Sequence, residues 1–252
     1  MNLALPFIGR KGEAARLRRL HARRKHVLIF GAAGIGKSAL VAQLSAALPL
    51  IVCPKSATLG EICSCLEAEF HLTAPNFPLV QRKNRLLETL AATRQTAVFD
   101  DVGRTTPKIS SFLESAMERA PIWICARSEL ARDIGHFWPL LARCEKIELR
   151  PFRFSETNAL LAASIESGQV PPSVKPFARQ LHQLTGGLPL ALRELLEQFA
   201  VGHYDLSHRA GLQLLELDRR INRLAAIRSA DSHVRGIPNP CSRGQGCPRS
   251  ES

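Results

Sequence analysis

Five short apolar runs punctuate the first 150 residues, and longer stretches with an amphipathic period fill the gaps between them. The runs are residues 27–30 (VLIF), 50–53 (LIVC), 96–99 (TAVF), 122–125 (IWIC) and 147–149 (IEL). Each is too short for a helix and none sustains an alternation of polar and apolar positions, which suits strands buried on both faces of a parallel sheet. The stretches 11–25, 37–47, 59–70 and 79–93 repeat their apolar residues at three- and four-residue spacing; in the first, Ala14, Leu17 and Leu20 share one face and arginines fill the rest. Strands alternating with helices predict a doubly wound α/β unit with a parallel five-stranded sheet.

After Pro151 the strand signal stops. The segments 154–167, 173–185, 188–200 and 206–229 are all helical in period. Ser155 with Glu156 reads as a capping residue and acidic first turn, while Pro171-Pro172 and Gly186-Gly187 separate the later segments. Leu214, Leu217, Ile221 and Leu224 form a stripe expected to pack on the domain, with self-association as the alternative. From Ser229 onward Gly, Pro, Ser and Arg dominate with no periodic apolar set, and the segment is expected to be disordered.

Composition narrows the class. Hydrophobic residues make up 45% and charged residues 22%, the balance of an ordinary globular protein. No apolar stretch approaches the roughly 20 residues that span a bilayer. At the start, charges follow a short apolar run, the reverse of a signal peptide, so a cytoplasmic location is expected. The seven cysteines show no zinc spacing and are expected to be buried or incidental thiols.

The net charge of +12 sits at the two ends. Residues 1–26 carry +7, from eight Lys/Arg against Glu13, and residues 209–252 carry +4. The basic N-terminal helix could attract nucleic acid or an acidic surface, or be a solvated face.

The chemistry lies in Gly31-Ala32-Ala33-Gly34-Ile35-Gly36-Lys37-Ser38, which matches G-x-x-x-x-G-K-[ST] in full after a strand and before a helix. Glycines let backbone N–H groups converge on phosphate oxygens, and the helix presents its unpaired N–H groups and positive dipole end to the same anion. Lys37 is expected to bridge the outer phosphates and Ser38 to ligate Mg²⁺, with Ala39 in the first helical turn. The run TAVF followed by Asp100-Asp101 supplies the second half: Asp100 to hold the metal through its water shell, Asp101 to orient or deprotonate the attacking water. The alternative is a pair of acids capping the next loop. Arg127, at the end of the fourth run, is placed to read the terminal phosphate, or else is a surface arginine. ATP or ADP with Mg²⁺ is the expected ligand set. The chain thus divides into a basic lead-in and helix (1–26), a nucleotide-binding domain (27–150), a small all-helical lid (151–228) and a tail (229–252).

In order, FIGRKGEAARLRRL, VLIFGAAGIGKSAL, TAVFDDV, IWICARSE and GGLPLAL resemble the motifs of the NB-ARC and wider STAND branch of AAA-type ATPases. Lys11 stands where an acid is usual, and Cys125-Ala126 replace two threonines. The resemblance covers about residues 6–200. It implies that Phe7, Ile8, Gly9 and Arg10 flank the base, that Pro189 packs near the adenine so the lid senses the nucleotide, and that Arg127 contacts the γ-phosphate. It also implies an ATP/ADP conformational switch with slow hydrolysis, a protein partner or nucleotide-dependent self-association.

The departures point the same way. A glutamate is the usual catalytic base of the relatives and Asp101 is one methylene shorter. Leu190 stands where replication relatives have a lid arginine; Arg193, one turn later, is a substitute, and Arg132 or Arg143 a candidate finger toward a neighbouring subunit. The relatives continue into a winged helix, whereas about 50 residues follow Ala200, so a shortened relative is expected. Two other readings remain open: a nucleic-acid-associated helper ATPase of the transposition or replication type, and a non-enzymatic nucleotide binder.

Overall fold

The computed structural model describes residues 6–54, 56–72 and 77–200. The leucine stripe and the tail expected at 206–252 lie outside them.

Five strands pair in parallel: β1 (Val27–Phe30), β2 (Leu50–Cys53), β3 (Thr96–Phe99), β4 (Ile122–Ala126) and β5 (Glu145–Glu148). Their order across the sheet is β2-β3-β4-β1-β5. β4 therefore stands between the strand that leads into the phosphate loop and the strand that ends at Asp100.

Period-two geometry sends alternate side chains of each strand to opposite faces. Val27 and Ile29 join Trp123, Cys125 and Ile147 in a core against α1 (Lys11–Ala22) and α2 (Lys37–Ser45). Leu28 joins Ala97, Phe99, Ile122 and Ile124 in a second core against α3 (Leu59–Glu69), α4 (Leu79–Ala92) and α5 (Pro107–Met117). Helices cover both faces, as a parallel sheet requires. α1 buries Ala14, Leu17 and Leu20, the face its period predicts.

β5 departs from the sequence expectation. It begins at Glu145, two residues early, and only Ile147 is buried. As an edge strand it need bury one side alone, and its charged residues pair outward: Glu145 with Arg16 at 3.5 Å and Lys146 with Glu129 at 2.7 Å.

A short helix, α6 (Ala131–Ile134), lies between β4 and β5, and beyond β5 the described chain is helical: α7 (Phe154–Glu166), a 3₁₀ segment (Pro172–Phe177), α8 (Ala178–Thr185) and α9 (Pro189–Ala200). Ser155 is not the cap of α7. Arg153 occupies that position, and its backbone N–H donates to Glu156 Oε2 at 2.8 Å. The 3₁₀ segment takes over the first part of the helix expected at 173–185, where in an α-helix the Pro176 ring would clash with the carbonyl four residues back.

The bundle is tied to the sheet through Gly187. Phe152 N donates to Gly187 O at 2.8 Å, and Gly187 has φ +71°. A Cβ at this position would collide with the Phe152 carbonyl oxygen, which is backbone and cannot move aside. Gly187→Ala is expected to lose about 2–3 kcal/mol of stability, from a left-handed φ and a clash together, read as a lower urea midpoint at unchanged m.

Among the described residues no helix is long and apolar enough to cross a membrane.

Candidate nucleotide site

The first turn of the sheet builds the site. Phe30 ends β1, and Gly31 N donates to Ala126 O at 3.3 Å, so the loop leaves the sheet braced on β4. Gly34 and Gly36 hold φ of +74° and +96°, a region that side-chain-bearing residues enter only at a cost. α2 then starts at Lys37 with Gly36 at its N-cap and no side-chain cap, which leaves its first backbone donors free for an anion.

A cleft of about 1220 Å³ opens over this turn. Its walls include Ala33, Gly34, Ile35, Gly36, Lys37, Ser38 and Ala39 from the loop and first helical turn, Asp100, Asp101 and Arg127 from the ends of β3 and β4, and Phe7, Ile8, Arg10 and Pro189. Gly31 and Ala32 do not line the cleft; their carbonyls accept from Lys37. Lys37 Nζ donates to Gly31 O at 2.8 Å and Ala32 O at 3.1 Å. An ammonium has three donors, so one is left for an oxyanion at the loop mouth. Partial burial lowers the Lys37 pKa; the Asp100 and Asp101 carboxylates oppose that shift and Arg127 reinforces it. An arriving polyanion would supply the countercharge that burial withholds.

Asp100 is 7% exposed and accepts from Asp101 N at 2.9 Å. The thiol of Cys125 is also hydrogen-bonded to Asp100, and its pKa is pushed well up, first by burial and then by that carboxylate, so it stays a neutral donor. Asp101 is exposed, with φ +50°, and lies on the wall of the main cleft and of a second cavity of about 380 Å³. Arg127 and Asp101 are common to both cavities, and Arg104 and Arg132 line the second. Ser38, Asp100 and Asp101 offer one hydroxyl and two carboxylates at the phosphate end, a donor set of hard oxygens that suits Mg²⁺.

Three expectations are refined here. Arg10, expected to flank the base, is turned into the structure. It is 5% exposed, Nη2 donates to Ile35 O at 3.1 Å and Arg150 O at 2.6 Å, and Nη1 donates to Glu13 Oε1 at 3.1 Å. It touches the cleft while clamping the lead-in to the phosphate loop and to the β5 exit. Arg193 does reach the cleft wall, with Nε held by Glu197 at 3.0 Å. Arg143, expected to reach toward a neighbouring subunit, precedes β5 at the end of the sheet away from this chain's own cleft.

Phe152, Leu160 and Leu190 also line the cleft. Phe152 and Leu160 come from the segment after β5, and no local motif marks them. Leu190 sits directly on the loop: its backbone N donates to Gly34 O at 3.1 Å, and a Cβ on Gly34 would lie 2.8 Å from Leu190 Cβ.

No family model matches the chain, and no curated protein matches it. Solved structures do. The Orc1 protein of Aeropyrum pernix, solved in complex with DNA, superposes with a TM-score of 0.63 at 16% identity, over 88% of this chain and 68% of that one. Cdc6p from Pyrobaculum aerophilum gives 0.63 at 15% identity, over 80% and 63%. The Walker-type ATPase PABY2304 of Pyrococcus abyssi gives 0.58 at 17% identity, over 90% and 77%. The chain spans about two thirds of the length of the first two. These likenesses show the fold and not the NB-ARC branch in particular. With the sheet order and the loop geometry, they show an α/β fold with a five-stranded all-parallel sheet that matches these P-loop structures.

Proposed function

We propose that the chain binds ATP with Mg²⁺, hydrolyses it slowly and uses the bound nucleotide to set the position of its helical lid. The hydrogen bond from Leu190 N to Gly34 O carries this reading, since the first turn of α9 rests on the loop that would hold the phosphates. A phosphate on that loop changes the surface on which the lid sits, and a ligand shifts an equilibrium only through such differential contacts. Lys37 and the loop N–H groups would bind the phosphates, Ser38 and Asp100 the metal, and Asp101 the attacking water. Arg127 would sense the γ-phosphate. The base end of the cleft is apolar, with Phe7, Ile8, Phe152, Leu160 and Pro189. The cleft's two carboxylates, Asp100 and Asp101, both sit at the phosphate end, so the base end offers no carboxylate to accept from a guanine ring N–H, which favours adenine.

The motif resemblance supports an ATP/ADP switch that engages a protein partner or a second copy. Native mass and limited proteolysis, measured with ADP and then with a non-hydrolysable ATP analogue, are expected to differ between the two nucleotides. Identical mass and cleavage patterns with both bound would refute the switch.

The second reading, a helper ATPase on nucleic acid, is favoured by the exposed arginines of α1. ATPase rates with and without duplex DNA across a salt series separate the two.

A further inference from the structure

All five strands are parallel, so the connections that precede them meet at one edge of the sheet, opposite the nucleotide cleft. Four of the five carry arginine. Arg23, Arg24 and Lys25 precede β1, Arg94 precedes β3, Arg119 precedes β4 and Arg143 precedes β5. All six are exposed, and none pairs with a carboxylate among the described residues. Glu118 is the one acid in the same connections; Glu145, which opens β5, is occupied by Arg16.

Hydrogen bonds show that the groups are neighbours. Arg24 Nη1 donates to Arg94 O at 3.2 Å, although 70 residues separate them. Ile122 N donates to His26 Nδ1 at 3.1 Å, which joins the β1 and β4 entries. His26 has its pKa lowered, first by burial and only then by Arg143 and Lys25, two cations close enough to act on it.

The sheet order turns these connections into a row: Arg94, Arg119, the Arg23–Lys25 cluster, Arg143. At about 4.8 Å between strands the row spans about 14 Å. One strand of a duplex presents a phosphate about every 3.4 Å along the axis, so about four phosphates lie over that distance. Arginine's planar fork matches phosphate oxygens in a way a point charge does not. The residues that immediately enter the four strands (23–26, 93–95, 118–121 and 143–144) include none of the exposed large apolar side chains, so the row itself lacks the wedge that a peripheral membrane surface would insert.

We infer that the amino-terminal edge of the sheet is a docking ridge for the phosphate backbone of duplex nucleic acid, read without base contacts. The ridge stands at the other end of the sheet from the cleft and does not depend on nucleotide being bound.

The test uses the full chain, a fluorescein-labelled duplex of about 30 base pairs and fluorescence anisotropy across a salt series. Arg94→Glu with Arg143→Glu is compared with Lys108→Glu plus Lys175→Glu, which changes the net charge equally but lies on α5 and the lid. The ridge pair is expected to weaken binding at least tenfold at about 100 mM salt. It should also flatten the slope of log K against log salt by about two, near 0.9 for each phosphate that is no longer neutralised. The control pair should leave both nearly unchanged. Circular dichroism checks the fold, and Arg94→Gln with Arg143→Gln replaces the charge reversal should the latter unfold. Equal losses in both pairs, no loss in the ridge pair, or binding to phosphatidylserine vesicles without binding to duplex would each overturn the inference.

Discussion

Replacing Lys37 by alanine is expected to raise the Kd for ATP by at least 100-fold while leaving the melting temperature near its starting value. One ammonium plays two unequal roles. Toward the protein, Lys37 gives two hydrogen bonds to the carbonyls of Gly31 and Ala32 at a half-buried turn, and water can take both places after truncation. Toward a triphosphate it is the cation that the loop brings to the outer phosphates, in a site where burial already favours losing the proton. A hundredfold loss corresponds to about 2.7 kcal/mol, within the range for a charge-assisted interaction with a polyanion. Titration with a fluorescent ATP analogue reads the affinity and a thermal melt reads the fold. ATP affinity retained in a folded Lys37→Ala protein would remove the loop from the mechanism.

What the sequence made legible follows from what each residue has to satisfy. β1 and β3 are read at their true bounds because both faces are covered and every position except the last of β1 is buried. The phosphate loop is equally plain, since its glycines and Lys-Ser pair answer a local demand. β5 is misread by two residues because an edge strand spends Glu145, Lys146 and Glu148 on surface pairs. α5 passes without notice between Asp101 and β4, even though Thr106 accepts from Ile109 N and Pro107 stands at the first helical position. Those cap signals were present, but the helix follows a run of loop-forming residues. Phe152 and Leu160 join the cleft from beyond β5, a meeting that only the tertiary fold arranges.

Arg10 belongs to this last group and gives the second large expectation. In sequence it is one of eight cations at a basic terminus; in the structure it is a buried charge with three partners. Its guanidinium lies 5.2 Å from the centroid of the Phe152 ring, and among the described residues Glu13 is the carboxylate paired with it. Lysine could not reproduce this arrangement, because one ammonium cannot reach two carbonyls and a carboxylate in the plane of a fork. Arg10→Ala is expected to cost about 3 kcal/mol, since it strips hydrogen bonds from the Ile35 and Arg150 carbonyls and leaves Glu13 unpaired. In a chain of this size that is a fall of roughly 10 °C in melting temperature. Arg10→Lys should recover only part of it. Because Ile35 lies within the phosphate loop, ATP affinity should fall by about tenfold in the folded fraction, through a loosened loop rather than through removal of a group that touches the ligand. A surface arginine would change neither quantity. Wild-type melting of Arg10→Ala would therefore show that the clamp does not hold the lead-in to the loop.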